Sequence, residues 1–147
     1  MTNSGLEGKM TALLAGMNAM GDYAMSLICT EQGLLVASAG EAERSEIAAG
    51  LTSLCNDILV RAVRDLSFTR VDEITLVDAN LGRFVIRPLP NSRDPRLYLV
   101  VQVPRQRSWR RNTSLITRKL DELIAPLIAG ANPPQPAPPS DDDDDDA

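Results

Sequence analysis

Apolar and polar positions follow two different periods along this chain, and the switches between them divide it into eight elements. Leu6, Met10, Leu13, Leu14 and Met17 recur at helical intervals, which puts them on one face of a helix. Ser4 and Glu7 have capping-box spacing and Gly21 follows the last periodic residue, so the pattern predicts a helix over 4–20. Residues 23–30 then alternate with period two. Glu31-Gln32-Gly33 supplies turn chemistry, and 34–38 reads as the returning strand of a hairpin. Gly40, Glu41, Glu43 and Arg44 interrupt the pattern.

Residues 45–66 predict a second helix. Ile47, Leu51, Leu54, Cys55, Ile58, Leu59, Ala62, Val63 and Leu66 cover about half its circumference, whereas packing on one sheet needs a stripe of only about 100°. The surplus calls for a further covering surface, either a second subunit or other helices of the same chain.

Three strands follow, over 71–77, 83–89 and 97–103, with Asp78-Ala79-Asn80-Leu81-Gly82 and the two-proline loop 90–96 between them. Short polar connections imply an antiparallel meander, and the near-continuous apolar run of 97–103 suggests a central strand. A last helix is expected from Asn112, a good N-cap residue, with Leu115, Ile116, Leu120, Leu123, Ile124 and Leu127 as its apolar face. Pro126 falls in its last turn, and Gly130 and Asn132 close the domain. The expected architecture is α+β: one five-stranded antiparallel sheet in the order α-β-β-α-β-β-β-α, covered by helices. Residues 1–132 form the domain, and 133–147 read as a disordered proline-rich and poly-Asp tail.

Charge changes the picture of the tail. The chain has 147 residues, 15 basic and 20 acidic, for a net −5. Six of the acids are Asp141–Asp146, so residues 1–140 carry a balance of +1. The pI of about 4.7 therefore describes the tail and not the body. No apolar run is long enough to span a bilayer, and the first 30 residues lack a basic start followed by an apolar block. A cytoplasmic protein is expected. Two cysteines, Cys29 and Cys55, are too few for a disulfide scaffold and have no metal-ligand spacing.

The chain contains no histidine, which removes the commonest general base and metal ligand. It lacks a P-loop and a Gly-x-Ser-x-Gly elbow, and its only lysines, Lys9 and Lys119, sit at helical positions. No enzyme activity, cofactor or metal is expected. The chemistry that stands out is basic. Arg105, Arg107, Arg110, Arg111, Arg118 and Lys119 fall within fifteen residues with no acid among them, and Trp109 lies inside. A solvated basic loop, a dock for an acidic partner surface and a nucleic-acid contact are the competing readings. Five scattered aromatics do not make a stacking platform, so nucleic acid is the least expected partner. Candidate partner-binding residues are Arg61, Arg64, Arg105, Arg107, Trp109, Arg110 and Arg111. The segment 133–140 can carry the aspartates about 25 Å, far enough to compete with a partner for the 105–111 region.

The order of elements resembles the roadblock (dynein light-chain) family over about residues 6–128. Ser26 to Ser38, with Gly33 at its turn, is similar to the family's first hairpin. Glu46-Ile47-Ala48-Ala49-Gly50-Leu51 is similar to the start of its middle helix, and 82–88 and 97–103 to its last strands. Two features depart from the family: Ser67-Phe68-Thr69 stands where many members carry glycine, and 104–111 is longer and more basic. The resemblance implies a roadblock/profilin-like, non-enzymatic homodimer of the bacterial type, partnering a Ras-like small GTPase as regulator or scaffold. The alternative is a structural adaptor of a motor, filament or sensor-kinase assembly. In the family, third strands pair edge to edge and middle helices pack across the dyad. That assigns Leu51, Leu54, Cys55, Ile58, Ala62, Ile74 and Leu76 to a dimer interface, in agreement with the wide apolar arc of the middle helix.

Overall fold

Eight elements follow one another in the expected order in the computed structural model, which describes residues 2–131. They are α1 (Thr2–Gly21), β1 (Met25–Thr30), β2 (Leu35–Ala39), α2 (Ala42–Asp65), β3 (Ile74–Asp78), β4 (Gly82–Pro88), β5 (Leu97–Val103) and α3 (Arg110–Ala131). The expected tail, 133–147, lies outside the described residues.

The five strands form one sheet in the order β2-β1-β5-β4-β3, with every neighbouring pair antiparallel. β5 occupies the centre, as its apolar run predicts. Its Tyr98, Leu99, Val100, Val101 and Val103 are buried. α1 and α3 cover one face, where Leu14, Met17, Ile28, Val85, Leu99, Val101, Ile116 and Leu120 form the larger core cluster. α2 covers the other face through Ala48, Ala49, Cys55 and Leu59 against Met25, Leu27, Cys29, Ile86, Tyr98 and Val100.

Several ends differ from the sequence expectation, β3 among them, which begins at Ile74 and not at 71; three helix ends differ for a local reason. α1 does not stop on Gly21. Asp22 takes the left-handed conformation (φ 61°), and the Tyr23 amide bonds the Asn18 carbonyl at 2.9 Å, which is a Schellman closure. Gly21 is required for another reason: a Cβ there would lie 2.1 Å from the Tyr23 ring. α2 begins at Ala42, so the charges of Glu43 and Arg44 belong to its first turn. Arg44 is held there by Gln102 Oε1 at 3.0 Å and lies over the Phe84 ring at 5.8 Å. α3 begins at Arg110, and Asn112 is not its cap. Asn112 Nδ2 instead donates to Tyr23 Oη, which donates to the Ser108 carbonyl at 2.7 Å. That relay ties the end of α1 to the start of α3.

Candidate functional site

α2 divides its wide apolar arc into a stripe against the sheet and an exposed one, and the exposed one is the first candidate surface. Its buried residues are Ser45, Ala48, Ala49, Thr52, Cys55 and Leu59, mostly small. Small side chains let the helix backbone approach the sheet closely. The two hydroxyls are satisfied locally: Ser45 Oγ donates to the Glu41 carbonyl at 2.9 Å and Thr52 Oγ1 to the Ala48 carbonyl at 2.8 Å. The bulky residues point away from the sheet. Ile47 is 68% exposed, Leu54 64% and Ile58 60%, with Leu51 exposed beside them. At 100° per residue these four share one stripe, set apart from the buried one.

The sheet beneath continues this surface. α2 packs over β1, β2 and β5. The half of that face formed by β3 and β4 presents Ile74, Leu76 and Phe84, with Leu76 exposed. Among the described residues β3 bonds only to β4, so its outer edge offers open backbone groups. Of the residues assigned to a dimer interface, Leu51, Leu54, Ile58 and Leu76 are exposed, and Ala62 and Ile74 are half-buried. Cys55 does not fit the assignment. It is 4% exposed, packed under α2 against the sheet, because it lies on the small-residue stripe.

The basic residues divide into two groups. In the β5–α3 connection the charges are largely engaged within the chain. Arg105 Nη1 donates to the Ala79 carbonyl at 2.9 Å, and Arg107 pairs with Asp22 at 3.2 Å. Trp109, a candidate partner-binding residue, is half-buried. Its ring lies between the guanidinium groups of Arg83 and Arg110, each 4.9 Å from a ring centroid, and its Nε1 donates to Glu73 Oε1 at 3.0 Å. Arg61 and Arg111 are exposed, on α2 and α3 respectively, and Arg64 pairs with Asp65 at 2.8 Å.

The second candidate surface was not legible as a cluster in the sequence. A groove of about 960 Å³ runs between the C-terminal half of α2, the 69–72 connection, the end of β4 and the 90–96 loop. Arg64, Arg70, Arg87, Arg93 and Arg96 line it, against one carboxylate, Asp72. A cavity of about 480 Å³ adjoins it, sharing Arg70, Val71, Asp72 and Arg87, and extends the basic lining to Arg110. Arg87 projects from the α3 face of β4, and its Nη1 donates to Thr113 Oγ1 and Ser114 Oγ at 2.9 Å each. These arginines come from four separate segments, so no run or spacing announces them. Guanidinium forks of this kind suit carboxylate and phosphate groups.

Among the described residues no three His, Cys, Asp or Glu side chains come together as a metal site, and no helix is long and apolar enough to cross a membrane. Both cysteines are free and buried. Burial pushes the Cys29 thiol up to about 11, with the Thr52 hydroxyl bond acting weakly against it, and raises Cys55 as well.

No protein-family model and no curated protein matches the sequence. Solved structures do match. MglB of Myxococcus xanthus superimposes with a TM-score of 0.65 at 14% identity, over 83% of this chain and 96% of that one. A Roadblock/LC7 domain from Streptomyces avermitilis gives 0.61 at 12%, over 80% and 96%. The gliding protein MglB from Thermus thermophilus gives 0.64 at 12%, over 83% and 90%. At such identities the likeness establishes architecture: this chain has the roadblock/LC7 fold, the fold that its first hairpin and middle helix resemble in sequence.

Proposed function

We propose that this chain is a non-enzymatic homodimeric regulator or scaffold that binds a Ras-like small GTPase and modulates its activity or placement. One observation carries the self-association. The open stripe of Ile47, Leu51, Leu54 and Ile58 adjoins the β3–β4 margin of the sheet, where Leu76 is exposed, and a β3 edge unpaired among the described residues. A second copy satisfies all three at once: the β3 edges pair and the α2 stripes pack across the dyad. Leaving that edge bare would invite uncontrolled pairing. A stable interface needs about 800 Å² from each partner, which a surface spanning a helix and two strands can supply. One solved MglB with the same fold is described as having a tetrameric arrangement, which agrees with self-association.

The GTPase partner is supported by the roadblock fold and by the family resemblance in the sequence. Contact of the dimer with the GTPase switch loops would bias them toward or away from a hydrolysis-competent arrangement. Arg61 and Arg111, exposed on α2 and α3 and with no catalytic base between them, are the proposed docking charges. The test adds full-length protein to a GTP-loaded Ras-like GTPase and follows phosphate release. A changed rate supports a regulator. Binding with an unchanged rate supports the structural adaptor, and absence of binding contradicts both.

A further inference from the structure

We propose that the arginine groove is a binding site for acidic peptide and that its occupant is the chain's own acidic run, Asp141–Asp146. The groove concentrates the guanidinium groups of Arg64, Arg70, Arg87, Arg93 and Arg96 around one carboxylate. Arg64 and Arg70 have exposed acidic neighbours, Asp65 and Asp72, at 2.8 and 2.9 Å. Among the described residues no carboxylate comes within ion-pair distance of Arg87, Arg93 or Arg96. A groove of about 960 Å³ is larger than a single small anion needs and is open enough to receive a length of chain.

Chain length selects the occupant. Thr117 of α3 lies on the groove wall, and α3 runs on to Ala131. At 1.5 Å per residue the groove is about 21 Å back along the helix from that end. The nine residues 132–140 reach up to about 28 Å at roughly 3.1 Å each, so the first aspartate arrives at the groove when the chain turns back along α3. The 105–111 connection is less suited. The start of α3 is about 32 Å from its end, farther than residues 132–140 extend. The tether also keeps the six carboxylates at high effective concentration near the groove. An acidic partner surface that used these arginines would first have to displace them. This inference stands apart from the GTPase reading and does not need a dimer.

The experiment uses the full chain with Ala147→Cys carrying a nitroxide label. Cys29 and Cys55 are buried, and the elevated Cys29 thiol stays protonated under labelling conditions. At low ionic strength the label is expected to broaden the backbone amide signals of Arg87, Arg93 and Arg96 selectively. About 1 M salt, where the screening length falls to about 3 Å, should abolish the broadening. So should changing all six aspartates to Asn, or the pair Arg93→Glu and Arg96→Glu. The proposal is overturned if those amides are unaffected at low salt, if the broadening centres on 105–111 or on the α2 stripe, or if it survives the Asn changes.

Discussion

Trp109 Nε1 donates to Glu73 Oε1 at 3.0 Å, fastening the residue before α3 to the residue before β3. Glu73, its acceptor, and Arg110, the residue after Trp109, both line the smaller cavity. Trp109→Phe keeps an aromatic ring between Arg83 and Arg110 but removes the donor, and is expected to cost about 1 kcal/mol. Paired with Glu73→Ala in a double-mutant cycle, it should show a coupling of about 0.5–1.5 kcal/mol. Urea unfolding followed by far-UV circular dichroism measures both. A coupling of zero would mean that the bond does not hold these segments together.

Two glycines of α1 should respond to alanine with opposite signs. At Gly16 the added Cβ meets nothing within 4 Å, so Gly16→Ala should stabilise by about 0.5–1 kcal/mol through helix propensity. At Gly21 the Cβ would press into the Tyr23 ring, whose hydroxyl is held by Ser108 and Asn112. Gly21→Ala should destabilise by about 1–3 kcal/mol. Thermal unfolding of the two variants compares them directly, and equal shifts of the same sign would refute the packing argument.

Alkaline pH should weaken the fold through Cys29. The unfolded chain releases that proton near pH 9.0, whereas the folded chain holds it to about 11. Between these values the unfolded state binds fewer protons, so stability falls as pH rises. The contribution is fully present below pH 9 and amounts to about 2–3 kcal/mol once lost. Tyr98, pushed by burial from 10.0 to about 12, extends the decline at higher pH. Urea midpoints at about pH 8 and pH 10.5 should therefore differ, and Cys29→Ala should reduce the difference. A thiol reagent at pH 8 should leave both cysteines unmodified until the protein unfolds.

Periodicity located every element, because apolar spacing at two and 3.6 residues survives any detail of packing. At α2 it gave the apolar arc and its surplus, but not which residues of the arc face the sheet. Ser45 and Thr52 join Ala48, Ala49, Cys55 and Leu59 there, since close approach of helix to sheet selects small side chains and hydroxyls can bond the preceding turn. The width of the apolar arc was legible, but its division into two stripes depends on side-chain size and not on polarity. The 105–111 cluster was visible because it is contiguous, yet its charges are largely satisfied within the chain. The arginine groove was invisible for the opposite reason. Arg64, Arg70, Arg87, Arg93 and Arg96 meet only after α2, β4 and two connections have folded together.

The most direct test of the central claim, that two copies meet through α2 and β3, is the mass of the full chain in solution by light scattering after size exclusion. The wild type should run as a dimer at micromolar concentration. Leu54→Glu combined with Ile58→Glu should run as a monomer with an unchanged far-UV spectrum, because both side chains are more than half exposed within one chain. A monomeric wild type, or a dimer that survives both charges, would contradict the account.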